Sequence, residues 1–176
     1  MNTGQMLLVL GALIILSMTS MGVNTMIINK TETMLDAEAG LEATSLAQTM
    51  IDEVMTKSYD NATVTEKVYH EADLTDAEGL GCSSTERYNV PQPDTTLKSM
   101  KYYNDVDDYH GYTRVFSTPL MGKFTIKDTV FYVIEANPDQ KSLGETFHKK
   151  VVVTVTHPNL LRPLQLSDVV VYRRYF

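Results

Sequence analysis

No charged side chain occurs between Met6 and Ile28, and apolar residues there follow neither a one-sided helical stripe nor a strand alternation. Leu7, Leu8, Leu10, Leu13, Ile14, Ile15, Leu16, Ile27 and Ile28 carry most of the hydrophobicity. As an α-helix this stretch spans roughly 34 Å, close to the ~30 Å hydrocarbon core of a bilayer. A soluble core helix is apolar on one stripe, whereas this one is apolar all round. A cleaved export signal has a basic start, a shorter apolar run and a small-residue cleavage site, none of which is present in the usual form. The pattern predicts a helix retained in a membrane. Ser17, Thr19, Ser20, Asn24 and Thr25 dilute its second half, and small or hydroxylated residues let helices approach closely.

From Lys30 the pattern becomes amphipathic. Leu46, Met50, Ile51 and Val54 recur at three- and four-residue spacings, with Asp52, Glu53 and Lys57 assigned to other faces. The helix is expected to run on to about Ser58 and to stop at Asp60-Asn61. Nothing obvious in the chain covers Met34, Leu35 and Leu41, which points to another subunit.

After Asn61, turn-forming residues and β-branched runs replace helical spacing. KDTVFYVIEAN, KKVVVTVTHPN and SDVVVYRRYF read as strands, with turns at Asn137-Pro138-Asp139 and His157-Pro158-Asn159. The stretch 79–98 reads as a long loop. The predicted class is α+β: a long N-terminal helix packed on a small antiparallel sheet. Its segments are 1–4 as a short leader, 5–29 as the apolar helix, 30–60 as the amphipathic continuation and 61–176 as the β-rich region.

Composition narrows the function. The formal net charge of -7 is wrong for a nucleic-acid binder, and equally for a protein held by anionic lipid headgroups. Glu32, Asp36, Glu38 and Glu42 follow the apolar helix with only Lys30 positive, so the bulk of the protein is expected outside the cytoplasm. Cys82 is the single cysteine and forms no internal disulfide.

Three stretches, in this order, resemble one family. MNTG followed by QMLLVLGALIIL resembles a prepilin leader with its peptidase site between Gly4 and Gln5. SLAQTMIDEVMTKSYDN resembles the helix end of minor pilins of the mannose-sensitive haemagglutinin type, and YYNDVDDYHGY resembles an aspartate-rich stretch of the same proteins. The chain thus resembles type IV pilins and the pseudopilins of type II secretion. The resemblance implies an inner-membrane helix with an extracytoplasmic domain, processing and methylation by a prepilin peptidase, and later residence in a filament. Its implied partners are other pilin-like subunits and the assembly platform, with Leu7, Leu10, Leu13 and Ile14 on the assembly surface. Two departures matter. The leader has no basic residue, and Val9 stands where major pilins carry a glutamate five residues into the mature chain, which suits a minor subunit. The rival expectation is an uncleaved, membrane-tethered extracytoplasmic binding domain.

Asp105, Asp107 and Asp108 gather three carboxylates, the oxygen chemistry that calcium prefers. Their spacing departs from the Asp-x-Asp-x-Asp-Gly loop and lacks its closing glutamate. The expectation is therefore a polar turn whose carboxylates cap backbone amides, with Tyr109 and Tyr112 packing inward. His110 stands beside these acids without a nucleophile or oxyanion motif. No catalytic residue, metal or cofactor is expected, and nucleic acid is not an expected partner.

Overall fold

The computed structural model describes residues 2–173. Met1 of the expected leader, Arg174 and the last two residues of the expected final strand lie outside them. One helix, α1, runs from Thr3 to Met55, and the chain divides into two compact units, 1–38 and 39–176. The first unit consists of the early part of α1 alone.

In the second unit α1 packs on an antiparallel sheet, as the periodicities predict. The strands are β1 (Thr113–Thr118), β2 (Gly122–Ile134), β3 (Asn137–Lys141), β4 (His148–Thr156) and β5 (Leu164–Val171). Their order is β1-β2-β4-β5, with β3 paired to β2. Ala43, Ala47, Met50, Ile51 and Val54 of α1 meet Phe124, Ile126, Val130, Val151, Val153 and Val155 of the sheet. The two alanines let the helix approach closely. Val151, Val153 and Val155 share one face of β4 because strand side chains alternate, and burying each stabilises the fold by about 1.5–3 kcal/mol. On the outer edge strand the Asp168 carboxylate accepts the Val169 N–H at 2.7 Å.

Three local expectations are corrected. Asn137-Pro138-Asp139 is not a turn but the start of β3; Glu135-Ala136 make the reversal, and Ile134 pairs with Asn137. β3 is exposed throughout, so a proline there fits, and the Asp139 carboxylate accepts a hydrogen bond from Lys150 at 2.6 Å. The helix ends at Met55 rather than near Ser58. Ser58 N–H donates to Asn104 O and Ser58 O accepts from Val106 N–H, drawing the backbone off the helical path. Asp60 then caps a short 3₁₀ turn, Asn61–Thr63, instead of acting as a helix stop. Within 79–98, Ser83 and Glu86 form a capping box that starts α2 (Ser84–Asn89). A four-residue helix, α3 (Ser99–Tyr102), follows.

Candidate functional site

The first unit offers a surface rather than a cleft. Leu7 is 70% exposed and Ile14 59%, and Leu10 and Leu13 are open as well. Met6 through Ile28 lie within one unbroken helix, so their main-chain groups are satisfied internally, as a nonpolar surround demands. The hydroxyls turn inward on the backbone. Thr19 donates to Leu16 O at 2.9 Å, Thr25 to Met21 O at 3.0 Å and Thr31 to Ile27 O at 2.9 Å. Each donor is thereby paired without water or a neighbouring helix. Among the described residues α1 is the one helix long and apolar enough to cross a membrane. Gly4 and Gln5 sit in its first turn, where Gln5 N–H donates to Asn2 O. Val9 is exposed on the same helix, and Met34, Leu35 and Leu41 are uncovered, as the sequence leads one to expect.

The second unit hides charge. Glu53, expected on an outer face, is buried. It accepts two hydrogen bonds of 2.8 Å from Arg114 of β1 and one each from Ser99 and Tyr109. Arg114 also donates through Nε to the Tyr112 hydroxyl at 3.0 Å. Tyr103, Tyr109 and Tyr112 pack edge to face around this centre, with ring centroids 5.1–5.6 Å apart. The inward packing of Tyr109 and Tyr112 is as expected.

A second centre surrounds Lys149, which is fully buried on β4. Its ammonium donates to Asp60 at 2.7 Å, to Asp107 and to Tyr59 O, and lies over the Tyr59 and Tyr132 rings. Asp60 and Asp107 respond differently. Burial works to raise Asp60, but the Lys149 charge and hydrogen bonds from Lys149, Ala62 N–H and Thr75 overcome it and hold its pKa at about 2. For Asp107 burial wins over Lys149, and Asp60 and Asp105 push the same way, so its pKa rises to about 8. One cation thus faces two carboxylates whose affinities for a proton are pushed in opposite directions. The Asp107 oxygen turned away from Lys149 has no hydrogen-bond partner, which a neutral acid tolerates far better than an anion. Asp128 on β2 is a starker case. Both its oxygens are buried and unpartnered, and burial raises its pKa well above the usual value, against the attraction of Arg114.

The three calcium candidates are engaged by the protein. Asp105 accepts from the Asp107 and Asp108 amides, and Asp108 from the Asn104 and Asp105 amides. Asp107 faces Lys149. Burial, chiefly, lifts Asp105 to about 6 and Asp108 to about 7. Among the described residues no group of three or more His, Cys, Asp or Glu side chains is placed to hold a metal ion. His110 is turned to the backbone of β2, its Nδ1 2.6 Å from Val130 O. A groove of about 560 Å³ lies beside α1, lined by Leu46, Leu97, Met100, Phe116 and Ile126 with Glu42 and Asp52 among its polar residues.

Sequence reasoning missed Arg114 and Lys149 as partners of Glu53 and Asp60, which lie 61 and 89 residues away. A lysine at a core-facing position of the KKVVVTVT alternation is the one local signal of a buried charge. Family models, characterised proteins and solved structures give no match to this chain.

Proposed function

We propose that this chain is a structural minor pilin-like or pseudopilin-like subunit. Its N-terminal helix anchors it in the membrane before assembly and lies among neighbouring helices in a filament afterwards. One observation carries the reading: a single helix is apolar and uncovered over its first part, yet supplies the core of a folded unit with its last turns. Lipid and packed helices are interchangeable surrounds for such a surface, since both are nonpolar and neither needs to satisfy its backbone. Val9 gives this helix no carboxylate to offer a neighbour's amino terminus, which favours a minor rather than a repeating role.

N-terminal sequencing and intact mass of protein extracted from its native membrane test the proposal. A chain beginning at Gln5, with or without an added methyl group, supports prepilin-peptidase processing. A chain retaining Met1 and absent from filaments favours the tethered binding domain instead.

A further inference from the structure

Around Lys149 the second unit brings together the parts of a covalent step: an amine, a carboxyl carbon and a base. Lys149 and Asp60 are fully buried, and Asp107 is 2% exposed. The ammonium nitrogen lies 2.7 Å from Asp60 Oδ2 and 2.5 Å from Asp107 Oδ1. Each partner is fixed from its own side of the fold. Lys149 stands in register between Tyr132 of β2 and Val170 of β5. Asp60 accepts hydrogen bonds from the Ala62 and Thr75 amides and from the Thr75 and Tyr132 hydroxyls. The Asp107 main chain is tied at both ends, its N–H to Asp105 and its carbonyl to the His110 N–H. The rings of Tyr59 and Tyr132 close the site, their centroids 4.4 and 4.9 Å from the nitrogen.

This is more than an ion pair requires. One carboxylate balances a lysine; the second sets a carboxyl carbon beside a primary amine, out of contact with solvent. Asp107 Oδ2 makes no hydrogen bond. Burial raises Asp107 to about 8, so its neutral form, the one an amine attacks, is populated near neutrality. The Asp60 carboxylate is placed to take the proton that the ammonium must lose before its lone pair is free. Holding the reactants in contact replaces a bimolecular encounter, and excluding water hinders the reverse hydrolysis.

We propose that Lys149 and Asp107 join spontaneously in an intramolecular amide bond, with Asp60 as the proton carrier. Asp60 takes one proton from the ammonium. The nitrogen lone pair then attacks Cγ of neutral Asp107 and forms the Nζ–Cγ bond. Asp60 gives its proton to the Oδ2 hydroxyl and takes a second from the nitrogen, the Cγ–Oδ2 bond breaks, and water leaves. An ammonium, a carboxylate and a carboxylic acid have become an amide, a neutral Asp60 and one water, with no oxidant, reductant or further reactant. Loss of a buried ion pair favours the closed form, because charges are costly away from water. The structure describes the chain before this step, with the three side chains still separate. The bond links positions 42 residues apart and ties β4 to the Asp107–Tyr109 turn.

Peptide mass spectrometry of the full-length chain is the test. Protein purified in detergent is kept folded at neutral pH for increasing times, then denatured and digested. Peptides carrying Asp107 and Lys149 are expected joined, at the sum of their masses less one water. The joined fraction should grow with time in the folded chain and stay near zero in urea. Asp60→Asn should slow joining roughly a hundredfold, and Asp107→Ala, which removes the carbon under attack, should abolish it. Near-UV circular dichroism of the tyrosines shows whether each protein is folded, and the wild-type time course decides the bond without any variant. Only separate peptides from folded wild-type chain would overturn the proposal, as would a bridge from Lys149 to Asp60 or one that persists in Asp107→Ala. Joining at the wild-type rate in folded Asp60→Asn would remove Asp60 from its role as proton carrier.

Discussion

Leu10 and Val151 are both aliphatic, yet Leu10 stands half exposed on the first unit and Val151 is sealed in the core of the second. The opposite contrast holds for ionisable groups. The first unit has no charge along Met6–Ile28, whereas the second buries Glu53, Asp60, Asp107, Asp128, Arg114 and Lys149. Each region places the residues that water would reject, or that water alone would accept, on the unexpected side. The first is compatible with a nonpolar surround supplied from outside, being long and apolar enough to cross a membrane. The second supplies a polar partner from inside to each of these except Asp128, through hydroxyls, backbone amides and two cations. Apolar burial is thus achieved by the fold in the second unit, while the first leaves its apolar side chains open.

Replacing Lys149 by alanine tests the second half of that contrast most severely. It leaves Asp60 buried without its counter-ion, and should destabilise the second unit by about 3–5 kcal/mol in chemical denaturation, with membrane retention unchanged. A loss below about 1 kcal/mol would mean that the centre is wetter than its burial implies.

Next comes pH. Asp105, Asp107 and Asp108 have folded pKa values of about 6, 8 and 7, above that of an unfolded aspartate. The folded state therefore holds protons that the unfolded chain releases. Their stabilising contribution is complete near pH 4 and is lost as pH rises toward 8. Asp60 acts oppositely: its contribution is present above about pH 4 and lost as pH falls toward 2. Denaturation midpoints should peak at mildly acidic pH and fall through neutrality. Asp107→Asn should flatten the upper part of that fall, and an unaltered profile would contradict the protonated Asp107.

The first unit breaks by the reverse substitution. Leu10→Asp or Ile14→Asp should cost roughly 2.5–3.5 kcal/mol of membrane insertion each, read by partition between membrane and soluble fractions. Denaturation of the second unit should not change, and normal filament incorporation would count against the assembly surface. Smallest of all, Leu41→Ala should shift stability by less than about 0.5 kcal/mol, because its side chain is exposed. A measurable loss of subunit cross-linking in the same variant would locate a neighbour over that position.

The comparison also explains what the sequence disclosed. Helix and strand periodicities are local, so α1, β4 and much of β2 could be read directly. The charge pairs were not legible, because Glu53 looks like any surface glutamate until Arg114 arrives from 61 residues away. β1 went unread because its burial is only partial along the strand, which blurs the alternation. Pro138 misled for a local reason: proline marks turns in general, and its use on an exposed strand depends on which neighbours are absent. The exposure of Leu7, Leu10, Leu13 and Ile14 needed no tertiary information, since a long run without charges on one helix leaves few partners within its own chain.

Asp168 has a consequence for solubility. An outer strand offers a row of main-chain donors and acceptors to any extended peptide, including another copy of itself. By accepting the Val169 N–H, the Asp168 side chain occupies one of these donors and sets a negative charge beside it. A strand arriving at β5 would lose that bond and bring its own carbonyl oxygens against the carboxylate. At high protein concentration this residue would discourage runaway sheet extension from β5.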